Sequence, residues 1–118
     1  MKFKFVLAFL SLLFSSTNLF SQVTTDTLTV AGDCNHCKER IELAVDLPGV
    51  KFASWDNASQ QLIIEYKPGK ITLRQIADAL IAAGHDTELG PADDKVYEKL
   101  PGCCHYNRLN PGQQNQKP

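Results

Sequence analysis

Between Thr27 and Leu89 the apolar positions switch back and forth between two periods. Thr27-Leu28-Thr29-Val30 alternates polar and apolar, the period of a half-buried strand, and is bracketed by Asp26 and Gly32. Ile41, Ala44 and Val45 then recur at helical spacing, with Lys38, Glu39, Arg40 and Glu42 on the outer side. Asp33 or Asn35 is placed to cap this helix and Pro48-Gly49 to end it. Val50 to Trp55 predicts a second strand with Val50, Phe52 and Ser54 on one side. After the turn cluster Asp56-Asn57-Ala58-Ser59, Gln61 to Tyr66 predicts a third, carrying Leu62, Ile64 and Tyr66 on one face. These two strands should form a hairpin. Beyond the loop Lys67-Pro68-Gly69-Lys70, Thr72 caps a second helix whose stripe is Leu73, Ile76, Ala77, Leu80 and Ile81, and Gly84 closes it. His85 to Leu89 predicts a short last strand.

The order strand, helix, strand, strand, helix, strand is that of an α+β, ferredoxin-like split-βαβ (βαββαβ) sandwich. Two amphipathic helices would cover one face of a four-stranded antiparallel sheet, and the unit closes near Gly90. Residues 91–118 form an extension. Ala92 to Leu100 has the pattern for one or two helical turns, broken by Pro101-Gly102 just before Cys103-Cys104-His105. Asn110 to Pro118 is rich in Asn, Gln, Pro and Gly and predicts a frayed tail.

The first residues belong to none of this. Lys2 and Lys4 make a short positive start, Phe5 to Phe14 is apolar apart from Ser11, and Ser21 offers a small residue for cleavage. That is the form of a secretory signal peptide over residues 1–21, with the cut expected between Ser21 and Gln22. The run is about ten residues, against the roughly twenty of a membrane-spanning helix. The domain proper is then 22–90, exported to a periplasmic or extracellular space and soluble once cleaved. The formal net charge of −1 offers no basic surface for nucleic acid. Removal of two lysines makes the rest more acidic.

Cys34, Cys37, Cys103 and Cys104 all fall in the exported part. An even cysteine count in an oxidising compartment usually signals disulfides, but the spacing Cys34-Asn35-His36-Cys37 points elsewhere. Two cysteines three positions apart can aim both sulfurs at one spot where a loop enters a helix. The free N–H groups there favour thiolates. A thiolate pair selects a soft ion, foremost Cu(I); Hg(II) is also served by two sulfurs, whereas Zn(II) wants four ligands. His36, between the cysteines, either adds an imidazole ligand or faces solvent and tunes the thiols.

At this point the sequence resembles the heavy-metal-associated domain family, which includes copper chaperones, the N-terminal modules of copper-transporting ATPases and periplasmic mercury-binding proteins. The resemblance covers about residues 26–90 and is of the exported copper- or mercury-binding type. The family's two metal ligands map onto Cys34 and Cys37, its strand-end apolar positions onto Leu28 and Val30, its helix-ending Pro-Gly-Val onto Pro48-Gly49-Val50, and its stretch before the last strand onto Ala83-Gly84-His85. Where the family usually carries Gly-Met-x-Cys, this chain has Ala31-Gly32-Asp33-Cys34. The Met packing under the loop is therefore missing, and the Asp33 carboxylate should oppose thiolate formation. A lysine near the loop can sit by the metal in copper chaperones, which makes Lys67 a candidate for charge neutralisation.

Domains of this kind normally stop after the fourth strand, but this chain continues to Cys103-Cys104-His105-Tyr106. That tail is similar to one found in a subgroup of exported bacterial members. Three readings of it stay open. Cys103, Cys104 or His105 folds back and adds ligands to the Cys34/Cys37 site; one or both cysteines pair with Cys34 or Cys37 as disulfides; or they form a separate site or redox pair. Trp55 and Tyr66 read as cross-strand packing of the hairpin rather than a ligand-stacking surface. His85 reads as a core or surface residue rather than a ligand.

No catalytic constellation is present in the spacing, so the chain is not expected to be an enzyme. The leading function is carriage or buffering of Cu(I), or of Zn(II) or Hg(II), for transfer to a metal transporter or efflux component. The working form is expected to be a monomer, with a metal-bridged dimer as the variant. The alternatives are thiol–disulfide exchange through the Cys-x-x-Cys pair and a structural domain stapled by two disulfides.

Overall fold

The computed structural model describes residues 22–109. Residues 1–21, read above as a signal peptide, and the tail from Asn110 onward lie outside the described residues. The elements are β1 (Thr24–Thr29), α1 (Asn35–Ala44), β2 (Val50–Asp56), β3 (Gln61–Tyr66), α2 (Leu73–Ala82), α3 (Asp94–Glu98) and a 3-10 turn at Gly102–Cys104. The sheet order is β1-β3-β2, antiparallel throughout. This is the expected ferredoxin-like α+β arrangement, with helices on one sheet face.

Alternation on β3 is as expected, with Leu62, Ile64 and Tyr66 buried against the helices. β2 departs from expectation. Its pairing with β3 shifts between Val50 and Phe52, and the extra residue turns the remainder of the strand over. Phe52 is consequently 50% exposed, while Trp55 is buried. A period-two reading cannot register such a bulge, because one inserted residue exchanges the faces of all that follow.

Helix α2 has the expected start. The Thr72 hydroxyl accepts from the Gln75 N–H and the Gln75 side chain accepts from the Thr72 N–H, a reciprocal capping box. Ile76, Ala77 and Leu80 are its buried stripe. Helix α1 is capped differently. Its N-cap is Cys34, in extended conformation and without a side-chain cap bond, rather than Asp33 or Asn35. Cys37, Ile41 and the following Val45 face the core.

The expected fourth strand is cut down to a bridge. Val30 pairs with Thr87, flanked by hydrogen bonds from the Ala31 N–H to the Asp86 carbonyl and from the Glu88 N–H to the Thr29 carbonyl. The chain then turns at once: the Thr87 and Gly90 backbones bond to each other in both directions. Among the described residues the sheet therefore has three strands and a short antiparallel bridge at the end of β1, rather than four full strands. The bridge has one important effect: it fixes His85, Asp86 and Thr87, all essentially buried, beside the loop that leads from β1 into α1.

Candidate metal site

That loop is held from three sides. The Val30 N–H donates to the Gln60 carbonyl and the Gly32 N–H to Gln60 Oε1, each at 2.9 Å. Gln60 sits at φ 59° in the tight turn between β2 and β3. The Trp55 indole N–H donates to the Val30 carbonyl at 2.9 Å, and His85 Nδ1 lies 2.9 Å from the Ala31 carbonyl. A Cβ at Gly32 would stand 2.8 Å from two carbons of the Trp55 six-membered ring and 3.0 Å from Cys37 Cβ. The indole thus fills the space under the loop, and it requires glycine at position 32. The loss of packing expected from the missing Met does not occur, because Trp55 supplies it. Trp55 also packs across the hairpin, opposite Leu62.

Cys34 and Cys37 flank the start of α1 with sulfurs 3.7 Å apart. Cys37 is fully buried and Cys34 half-buried. The C-terminal extension crosses this loop. Its 3-10 turn brings Cys104 Sγ to 3.7 Å from Cys34 Sγ, and Cys103 Sγ to 3.0 Å from Cys34 and 4.0 Å from Cys104. The sulfurs of Cys34, Cys37 and Cys104 all lie within 4.8 Å of one another. Cys104 is buried, Cys103 exposed, and all four thiols are free. A set of adjacent unpaired thiols in a partly dry site has the donor chemistry of a soft-metal centre.

The Cys34 thiol is lowered to about 7, chiefly by hydrogen bonding with the Cys103 thiol and further by the Cys37 N–H and the other two sulfurs, against partial desolvation. Asp33 was expected to push the other way. It is exposed, and the sulfur neighbours and backbone amide decide the outcome. Burial, together with hydrogen bonding to Cys37 and Cys34, pushes the Cys104 thiol up, and the Cys103 thiol is raised mainly by its bond with Cys34.

His36 and His105 are not brought into the sulfur cluster. Both are exposed, and His105 instead lies against the Tyr97 ring with centroids 5.3 Å apart. Lys67 is at the wrong end of the sheet. It follows Tyr66, which pairs with Thr24 at the start of β1, whereas the thiols follow the finish of β1. His85 is a core residue with 0% exposure.

The residues that hold the extension in place escape any local pattern. The Tyr106 hydroxyl donates to the Gly84 carbonyl at 2.6 Å and accepts from the Asp86 N–H at 2.9 Å. The Tyr97 hydroxyl donates to the Tyr106 carbonyl at 2.7 Å. Arg108 pairs with Asp86, bonds the Ala92 carbonyl and stacks over the Tyr97 ring. The nearest sequence signal is the aromatic spacing of Tyr97 and Tyr106 in a stretch otherwise polar, which says that something is packed but not against what.

Residues 27–86 match the model of the family described as "Heavy-metal-associated domain". The chain is 31% identical over 68 residues to the copper chaperone CopZ of Staphylococcus saprophyticus subsp. saprophyticus, covering 56% of this chain and all of that protein. Among solved structures it is similar to one titled CopZ metallochaperone, at 30% identity and a TM-score of 0.53 over 54% of this chain and 98% of that one. It is also similar to a solution structure from Bacillus anthracis str. Ames, at 28% identity and a TM-score of 0.54 over 57% of this chain and 97% of that one. The fold, the thiol pair at the mouth of α1 and the match over residues 27–86 agree: the chain belongs to the heavy-metal-associated domain family of metal-binding proteins.

Proposed function

We propose that this protein carries Cu(I) outside the cytoplasm, holding it between the thiolates of Cys34 and Cys37 and passing it to a metal transporter or efflux component. The observation that carries this reading is the pair of sulfurs 3.7 Å apart at the start of α1, one of them with its thiol lowered to about 7. A thiolate is the form that binds metal, and sulfur donors prefer Cu(I) to hard ions. The CopZ relative is named a copper chaperone and matches this chain over its full length. Export is supported by Lys2, Lys4 and the apolar run to Phe14.

Hand-over of the ion is ligand substitution. A thiolate of the receiving protein bonds to the metal as one of the carrier's sulfurs leaves, so no electrons are exchanged and the protein acts as a carrier rather than a catalyst. The half-buried Cys34 is the sulfur an incoming group reaches first, and Cys37, locked in the core side of α1, is the last to let go. The test is anaerobic competition between Cu(I), Zn(II) and Hg(II) on the parent and on Cys34→Ser. Cu(I) should be retained over Zn(II), with Hg(II) as the softer control ion for the same two sulfurs, and the substitution should abolish Cu(I) retention. Equal Cu(I) affinity in Cys34→Ser would refute the assignment. Fractionation of expressing cells, with the mass of the recovered chain, tests export: loss of residues 1–21 and recovery outside the cytoplasm are expected.

A further inference from the structure

We propose that Cys104 is a third sulfur donor to the ion, so that the C-terminal extension turns the two-thiolate loop into a closed three-thiolate pocket. This rests on the assignment of Cys34 and Cys37 as ligands and goes beyond it.

Position comes first. Cys104 is fully buried, in the same apolar cluster as Cys37, and its sulfur lies with those of Cys34 and Cys37 inside a span of 4.8 Å. An ion bound by the pair would therefore have a third thiol as its immediate neighbour. A buried free thiol packed only by carbon would serve as a small apolar side chain; this one lies beside the sulfurs of Cys34, Cys37 and Cys103 instead. Its sequence neighbour behaves differently. Cys103 is exposed and touches Cys34 from outside, so the 3-10 turn admits one cysteine of the two and leaves the other on the rim.

The delivery of this sulfur does not depend on the sulfurs themselves. The turn is closed by the Cys104 N–H bonded to the Pro101 carbonyl at 2.8 Å. Leu100 is buried on one side of it, next to Gly84, where a Cβ would stand 3.2 Å from the leucine methyl. Tyr106 is buried on the other side, clamped between Gly84 and Asp86. Apolar packing, the Tyr106 hydrogen bonds and the Arg108–Asp86 ion pair thus position Cys104 before any ion arrives. A donor already in place loses little entropy when it binds. The pocket is suited to a soft ion that accepts three thiolates. The fourth thiol, Cys103, stays at the rim beside Cys34, the sulfur an incoming group reaches first.

The experiment is a count of sulfur neighbours by copper-edge X-ray absorption, on the purified chain loaded anaerobically with one equivalent of Cu(I), paired with competition against a Cu(I) chelator. Three sulfurs are expected in the parent and in Cys103→Ser, and two in Cys104→Ser, whose Cu(I) retention should fall by about tenfold or more. Two sulfurs in the parent would overturn the proposal without any variant having to fold. A drop to two in Cys103→Ser, or parental retention in Cys104→Ser, would overturn it as well. The underlying assignment fails separately: it falls if Cys34→Ser retains Cu(I) like the parent.

Discussion

Arg108 meets Asp86 through two parallel hydrogen bonds, Nε to Oδ2 at 2.7 Å and Nη2 to Oδ1 at 2.8 Å, across 22 residues of chain. The same carboxylate accepts the backbone N–H groups of Ala92 and Leu109. Asp86 is 1% exposed, so it is a buried charge paired and fully hydrogen-bonded. It joins the bridge at the end of β1 to Ala92 at the start of the extension and to Arg108 and Leu109 beyond the cysteines. Removing one partner of such a pair costs about 3–5 kcal/mol when the other charge stays buried.

Arg108→Ala is therefore expected to release the extension. Release lets water reach Asp86, so the loss in stability stops at the free energy of docking and falls below the full cost of an orphaned carboxylate. The measurable outcome is a lower Tm together with rapid alkylation of Cys104, which is shielded in the parent. A variant in which Cys104 stays as slow to react as in the parent would show that the aromatic clamp holds the strap alone.

Gly32→Ala is expected to destabilise the protein by about 1–3 kcal/mol, the usual cost of overpacking. The new methyl meets ring carbons at 2.8 Å and the Cys37 Cβ at 3.0 Å, and Trp55 is fixed by its bond to Val30. Trp55→Phe in the same chain makes room and should recover part of the loss. Urea unfolding of the two single variants and the double variant gives the coupling, and purely additive effects would contradict the contact.

The reactivity of Cys34 should follow pH with a midpoint near 7 in the reduced, metal-free chain, read by the rate of iodoacetamide labelling. The lowered value means that the thiolate is present above about 7 and is protonated as the pH falls through it. Hydrogen bonding with Cys103 is the largest cause, so Cys103→Ala, which removes that donor, should move the midpoint upward. A parent midpoint at the ordinary thiol value would count against the whole cluster geometry.

Oxidation should first join Cys34 to Cys103. With oxidised glutathione as the oxidant, the Cys34 thiolate attacks one glutathione sulfur and expels the other as a thiolate. Cys103, 3.0 Å away and exposed, then displaces the second glutathione. Peptide mapping should find that link ahead of Cys34–Cys37. The reverse order would indicate that the strap stands away from the loop in solution.

His85 gives the protein an acid limit. Burial lowers its pKa from the usual 6.5, outweighing the help of the Ala31 carbonyl; Arg40 also lowers it and Asp86 raises it. A histidine lowered in the folded state binds its proton more readily when unfolded. Stability is therefore whole above about 6.5 and is lost as pH drops below it. The urea midpoint should fall between pH 7.5 and 5.5, and His85→Gln should flatten that dependence.

What the sequence made legible follows from how local each determinant is. The helix stripe from Leu73 to Ile81, the Thr72 cap and the alternation of Leu62, Ile64 and Tyr66 are written within a few residues, and the structure has them as read. The faces of β2 were not legible, because the bulge after Val50 depends on pairing with a distant strand. The last strand looked complete because nothing local says that Thr87 and Gly90 will bond to each other and end it. At the site, Cys34 and Cys37 stand out by spacing. Trp55 and Gly32 do not, since their fit is a matter of volume across 23 positions. The partnership of Asp86 with Arg108 is equally hidden, because neither residue carries a local signal for the other.

Cys34 and Cys104 are 70 positions apart, and that separation orders events in time. A chain emerging from its N-terminus has the residues of β1, α1, the hairpin and α2 before those of the strap, so its first thiol pair can form while open on the outside. Only when Arg108 has emerged can the lid settle. Contacts of such long range are the slow ones to form. A nascent or C-terminally clipped chain would thus present the open loop of a short chaperone, and the chain that carries the extension the enclosed pocket, so proteolysis near Leu100 would convert one kind of metal carrier into the other.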